Sequence, residues 1–235
     1  MMFPPDRVLV VHVQRTAGTS LRRALEATCE AGGVYPSATV LASRPDGRYE
    51  SAAELLERWE RVADHRFLFG HFVASFAEVL PVRYRRATFL RDPVARSVSI
   101  IEHHSARTGR SVSELLVDNA FLETHVANLQ TRVFGTEPFM RAGALTTARP
   151  QEAPAADRAT LERALERLGE FEFVGLTDRL DESVTRFDSI FRTTARSALQ
   201  RHNASASGDV SRVDIARVVT PLVQLDSELV ARAFP

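Results

Sequence analysis

The chain has 235 residues, 44% hydrophobic and 26% charged, and its 30 cations balance its 30 anions. That size and mixture fit a soluble globular protein built as a single domain over residues 1–235. Zero net charge leaves no whole-molecule field that would draw in nucleic acid or a membrane surface, so any polyanion site must come from local clustering of cations. Every cation is arginine, and roles commonly taken by lysine therefore fall to arginine. The single cysteine, Cys29, is predicted within a helix; it excludes an intrachain disulfide, and no Cys/His cluster has zinc spacing. No apolar run has the length of a signal-peptide core or a membrane span, which predicts a cytoplasmic protein without stable membrane insertion.

Arg7–Val13 reads as a buried strand of the parallel type, five of its seven residues being Val or Leu. Thr19–Glu30 is predicted as a helix with Leu21 and Leu25 on one face. Gly32–Gly47 is punctuated by Gly, Pro and Asp-Gly and is expected to be irregular. Ser51–Ala63 has a helical apolar stripe of Leu55, Leu56, Trp59 and Val62. Arg66–Phe69 and Ala87–Leu90 are predicted strands; Pro93 suits a first helical turn, and that helix stops near Gly109. Further helices are predicted at Ser111–Val117, Leu122–Phe134 and Ala156–Leu168, with an Ala/Pro-rich loop at Ala148–Ala156. Phe171–Leu176 is another buried strand, followed by helices at Leu180–Thr194 and from Val213 onward, the last restarted by Pro221. Strands alternating with helices predict an α/β fold: three layers, α/β/α, around a central parallel sheet of P-loop-like type. Ligands of such sheets lie beyond the carboxyl ends of the strands.

Two strand–loop–helix units end there. In the first, Val8 to Ser20, Gly18 lets backbone N–H groups approach an anion, Thr19 and Ser20 add hydroxyls, and Arg15 places a cation at the lip. The alternative is an ordinary capped helix start. The leading Gly and the Lys of a Walker A loop are absent, which disfavours a nucleotide-hydrolysing P-loop enzyme. In the second unit, Ala87 to Ser99, Arg91 follows the strand and Ser99 lies two turns beyond Pro93, a spacing at which both can meet one phosphate. The alternative is an Arg91–Asp92 pair that only holds the turn. Together the units predict two anion sites on neighbouring strands, suited to a ligand with phosphate at both ends.

Val13-Gln14-Arg15-Thr16-Ala17-Gly18-Thr19-Ser20 resembles the 5′-phosphosulfate loop of sulfotransferases, and Phe89-Leu90-Arg91-Asp92-Pro93-Val94-Ala95-Arg96-Ser97-Val98-Ser99 resembles their 3′-phosphate motif. The similarity is to the carbohydrate branch of the heparan 2-O type. Gly70-His71-Phe72, Asn128-Leu129-Gln130-Thr131-Arg132, Phe173–Leu180, Arg201–Ser205 and Leu225–Leu229 agree with that branch in the same order. The resemblance implies the cofactor 3′-phosphoadenosine 5′-phosphosulfate (PAPS), leaving as the bisphosphate PAP. It places the 5′-phosphosulfate on Arg15, Thr16, Ala17, Gly18, Thr19 and Ser20, and the 3′-phosphate on Arg91 and Ser99. No metal is called for, since the loop and Arg15 supply the positive field. The chain departs from the pattern at Gln14-Arg15, where the family usually has Pro-Lys. Arginine can stabilise a leaving phosphate electrostatically but cannot give up a proton. It also has Phe69 where the heparan type has the first of two histidines.

Sulfuryl transfer requires the acceptor hydroxyl to lose a proton, a task suited to histidine near neutral pH. His71, after a short strand and a glycine, is the expected base. His103 and His104 are the rival pair, His12 reads as core, and His125 and His202 have no stronger claim. The chain is accordingly expected to be a sulfotransferase acting on a carbohydrate or small-metabolite hydroxyl. The alternatives are a nucleotide-binding module without turnover, suggested by Arg15, and a P-loop kinase. Gly32–Trp59 and His103–Arg149, carrying Tyr35, Tyr49, Trp59, Phe134, Phe139 and Met140, are the expected acceptor walls; they leave the acceptor and the oligomeric state open.

Overall fold

The computed structural model describes residues 7–30, 33–36, 52–137, 139–141, 144–147, 151, 153–200 and 209–234. The chain opens with β1 (Val8–Val11) and α1 (Gly18–Thr28), then β2 (Val34–Tyr35) and the short helices α2 (Ala52–Glu57) and α3 (Trp59–Val62). β3 (Phe67–Gly70) and β4 (Arg85–Leu90) precede the long helix α4 (Pro93–Thr108). Helices α5 (Val112–Leu116), α6 (Asn119–His125) and α7 (Leu129–Gly135) lead to a hairpin of β5 (Phe139–Arg141) and β6 (Ala144–Thr147). α8 (Arg158–Leu168), β7 (Phe173–Leu176), α9 (Leu180–Phe191), α10 (Arg212–Val219) and α11 (Gln224–Ala233) complete the order.

Side-chain alternation along β1 sorts the core into two faces. Val8 and Val10 join Phe67, Phe69, Phe89 and Phe173 against Leu21 and Leu25 of α1 and Val184, Phe187 and Phe191 of α9. Leu9 and Val11 face the other way, with Leu68 and Leu90, onto Leu129 and Val133 of α7, Leu161 and Leu168 of α8 and Leu229 of α11. The result is a three-layer α/β/α sandwich. All pairings in the five-stranded sheet are parallel, in the order β2-β3-β1-β4-β7. The chain leaves β1 for the β2 edge, returns through β3 and then crosses to β4. β1 is thus the point where the winding reverses, and the loops after β1, β3 and β4 open side by side at their carboxyl ends. A third apolar cluster, with Ile101 of α4, Leu115 of α5, Leu122 of α6 and Val219 of α10, forms a helical shoulder.

Several predicted elements are corrected. The helix expected over Leu122–Phe134 is two helices, because Asn128 adopts a left-handed conformation (φ 44°) that no continuous helix accommodates. Ser51–Ala63 likewise divides into α2 and α3. Cys29 does not lie within a helix but ends α1 in an extended conformation. Gly32–Gly47, expected to be irregular, contributes edge strand β2, and the β5–β6 hairpin was not foreseen. α9 stops at Phe191, where Arg192 turns left-handed. Pro93 does stand in the first turn of α4, whose N-cap Asp92 accepts from Ala95 N at 2.7 Å; Gly109 ends that helix at φ 74°. Tyr49, residues 148–150 and 152 of the expected loop, the side chains of Phe139 and Met140, and the block 201–205 with His202 lie outside the described residues.

Candidate functional site

After β1 the backbone alternates in hand: Arg15 (φ 68°) and Ala17 (φ 64°) are left-handed, while Thr16 and Gly18 are not. Alternating hands turn successive N–H groups toward a common point, the geometry of an anion nest. The Thr16 hydroxyl is spent inside the turn, donating to Val13 O at 2.8 Å, so Thr16 offers a ligand only its amide. Gly18 must be glycine for packing reasons, since a Cβ there would fall 2.0 Å from Cδ2 of His12. α1 starts at Gly18 with no side-chain cap, leaving its first amides and its positive end to the nest. Thr19 is partly exposed at this end and Ser20 is buried.

The second loop comes to the same place. Arg15 Nε donates to Ser99 Oγ at 2.9 Å, and Arg91 Nη1 donates to the Arg15 carbonyl at 3.2 Å. Arg91 and Ser99 therefore meet through Arg15, not directly, and the two loops form one cleft. Burial is the largest cause lowering both guanidinium groups from their ordinary value; Arg91 lowers Arg15 further, while Glu102 raises it. For Arg91 the fields of Asp178 and Asp92 raise, and that of Arg212 lowers. These cations stay charged, and the main cause of each downward shift is loss of water around the guanidinium, a cost that a bound anion would offset.

Glu102 and Arg212 belong to this cleft and were missed in the sequence. Glu102, with 5% of its surface exposed, accepts from Arg212 Nε at 2.7 Å and Nη2 at 3.0 Å, a bidentate pair linking α4 to the start of α10. Its signal was a carboxylate directly after Ile100-Ile101 on an otherwise apolar helix face. Arg96, on the same helix as Ser99, is fully buried and donates to His125 O and Val126 O at the end of α6.

A clasp behind the cleft fixes Arg91. Gln130 Oε1 accepts from Arg91 N and Gln130 Nε2 donates to Arg91 O, both at 3.0 Å. Gln130 is itself seated by Asp226, whose buried carboxylate accepts from Gln130 N at 3.1 Å and Thr131 N at 2.7 Å. In return, Asn128 Oδ1 accepts from Leu225 N at 3.0 Å and Asp226 N at 3.2 Å. Two helix starts, α7 and α11, thus cap each other.

His71 stands one residue beyond β3, on the far side of β1 from Arg91. Its Nδ1 lies 2.6 Å from the His12 carbonyl. A carbonyl can only accept, so Nδ1 carries the proton and Nε2 the lone pair in the neutral ring. Burial pushes the His71 imidazole down to about 4, partly offset by that hydrogen bond. His12 is also held well below the ordinary value, first by burial and then by His71, Arg22 and Arg15. His103 is exposed on α4, one helical turn past Ser99, and is lowered by burial and by Arg15. His104 packs on His125, ring centroids 4.5 Å apart, and on Phe121 at 4.9 Å; His125 is pushed to about 4, mainly by burial.

These depressed histidines predict acid sensitivity. The unfolded chain takes up a proton at each near pH 6.5, whereas folded His71 and His125 wait until about 4. Between those values the unfolded state binds more protons, so stability falls as pH drops through that window and levels off below it for these groups. After allowance for partial exposure, each contributes on the order of 2 kcal/mol. Urea midpoints taken from pH 7.5 to 4 are expected to fall mostly between pH 6.5 and 4; a flat midpoint down to pH 5 would refute the assignment.

No family model and no curated protein matches this chain. Among the described residues, no group of three or more His, Cys, Asp or Glu could hold a metal ion, and no helix is long and apolar enough to cross a membrane. What the cleft offers is chemical: an amide nest, two arginines joined through the Arg15 carbonyl, a serine bonded to Arg15, and a neutral imidazole across β1. Such a set can bind phosphate or sulfate esters and accept a proton.

Proposed function

We propose that the chain is a PAPS-dependent sulfotransferase that transfers a sulfuryl group to a hydroxyl of a carbohydrate or small-metabolite acceptor. The observation that carries this reading is the convergence of Arg15, Arg91 and Ser99 in one cleft at the ends of adjacent strands β1 and β4. It joins the two loops whose residues resemble the sulfotransferase phosphate motifs. The donor set suits a bisphosphorylated nucleotide. Arg91 Nε and Thr177 Oγ1, at the ends of β4 and β7, are buried without a hydrogen-bond partner among the described residues, and such groups are costly unless a ligand satisfies them.

In this reading the amides of residues 15–20 and the Arg15 guanidinium hold the 5′-phosphosulfate, and Arg91 with Ser99 holds the 3′-phosphate. When bound, the cofactor supplies the transferable sulfuryl group. Arg15 holds positive charge beside the leaving phosphate and, as arginine, contributes field without a proton. His71 accepts the proton of the acceptor hydroxyl at Nε2. The cytoplasm is the proposed location.

Calorimetry tests the reading. PAP is expected to bind without Mg²⁺ and in preference to ATP, and Arg91→Ala to weaken it by about tenfold to hundredfold, the worth of a charged hydrogen bond of roughly 1.5–3 kcal/mol. A Mg²⁺-dependent preference for ATP would replace the reading with a P-loop kinase. Tight PAP binding with no transfer from PAPS to any hydroxyl of an acceptor panel would leave a nucleotide-binding module, the outcome that Arg15 in place of lysine favours.

A further inference from the structure

We propose that His12 is a positioning residue for His71, joining the base to the anion loop; this rests on the proposed function only for what His71 does, not for how it is held. Three contacts meet at His12. Its backbone grips the end of β3 in both directions: His12 N donates to Gly70 O at 2.9 Å, and His12 O accepts from His71 Nδ1 at 2.6 Å. Its ring lies against the His71 ring, centroids 4.4 Å apart and planes inclined by 33°. The same ring, through Cδ2 and Nε2, fills the space at Gly18 that any Cβ would need. On the β3 side, Gly70 is equally committed, since a Cβ there would fall 1.8 Å from the Phe72 ring. The His71 imidazole thus packs against a ring that is itself confined by Gly18, with its tautomer set by the His12 carbonyl.

An apolar side chain would fill this volume at lower desolvation cost than an imidazole, so packing alone does not account for histidine here. The charged and titratable groups facing His12 are His71 at the end of β3, Arg15 in the loop and Arg22 on α1, with desolvation the largest effect. All of them oppose a proton on His12. A flat, polar ring held toward its neutral form covers one side of His71 without competing for its proton. It also ties the position of the base to the start of α1, where the anion nest begins.

The test uses the full chain and two readouts. In the ligand-free protein, the His71 ring is followed by NMR from pH 3.5 to 8 in wild type, His12→Ala and His12→Phe. Opening the wedge in His12→Ala is expected to raise the His71 titration point by at least about one pH unit toward its ordinary value. The same variant is expected to lose about tenfold or more in kcat, with KM for PAPS changed by less than about threefold, the signature of a misplaced base. His12→Phe keeps a flat ring against His71 and is expected to hold the titration point low. Should the alanine variant unfold, His12→Asn, which also lacks a ring, gives the same reading. An unchanged His71 titration and unchanged kcat in a folded ringless variant would overturn the proposal. The titration needs no turnover, so absence of sulfuryl transfer in wild type would count against the proposed function while leaving the role of His12 decided by NMR.

Discussion

His71→Ala is expected to lower sulfuryl transfer by about 10²–10⁴-fold, the usual worth of a general base, while PAP binds as it does to the wild-type protein. The two effects separate because His71 sits at the end of β3, across β1 from Arg91, and hydrogen-bonds to His12 O, not to the arginine–serine cluster. Removing its ring therefore takes nothing from the anion donors. With Nδ1–H committed to that carbonyl, the base works through Nε2 alone. Burial keeps it neutral down to about pH 4, which also makes it a weaker base than an ordinary imidazole. The loss should appear in kcat and in kcat/KM alike, since the interaction is made only as the acceptor proton moves. Turnover that survives in this variant would reassign the role to His103, the histidine on α4 one turn beyond Ser99, and His103→Ala would then be the inactive protein.

Asp226→Ala is expected to destabilise the fold by roughly 3–5 kcal/mol, the range for breaking a buried charge system by removing one partner. The side chain is fully enclosed and accepts from two amides at the start of α7. Truncation orphans both amides and withdraws the carboxylate whose field supports Arg96, itself fully buried and lowered to about 10. Burial raises the Asp226 carboxyl while Arg96 and the two amides oppose that rise; the donors around it are what make a charge tolerable there. Because Gln130 hangs from Asp226 and holds both backbone groups of Arg91, the folded fraction of the variant should also bind PAP more weakly. Asp226→Asn keeps one acceptor oxygen and should lose less. Urea unfolding that shifts by under about 1 kcal/mol in the alanine variant would show that the clasp is not a stabilising unit.

The sheet was legible because its signal is local. Val8–Val11 and Phe67–Gly70 are unbroken apolar runs that only a strand enclosed on both faces requires, and Pro93 with Asp92 marks a helix start by its own chemistry. Arg15, Arg91 and Ser99 were singled out from short motifs, and the structure brings them together. The spacing at which Arg91 and Ser99 can meet one phosphate says nothing of Arg15, which stands between them. What the sequence hid depends on partners far along the chain. Asn128 was read through as helix because its left-handed turn is fixed by the amides of residues 225 and 226, about a hundred positions away; an asparagine after Val-Ala was the available warning. Glu102 finds its meaning in Arg212, and His12, buried as its core reading expects, has its ring against both Gly18 and His71. Pairings of this kind carry no period and no spacing.

The left-handed turns of the first loop are made by Arg15 and Ala17, where glycine would be the undemanding choice. A side chain in that conformation costs on the order of 1 kcal/mol, but it also denies the unliganded loop most of the shapes a glycine would explore. The nest is consequently assembled before anything enters it, and little freedom remains to be surrendered on capture. Such a receptor is rigid at the mouth and discriminating in geometry. For the anion of the proposed function, association is then expected to be governed by diffusion and electrostatic attraction instead of by a slow closing motion.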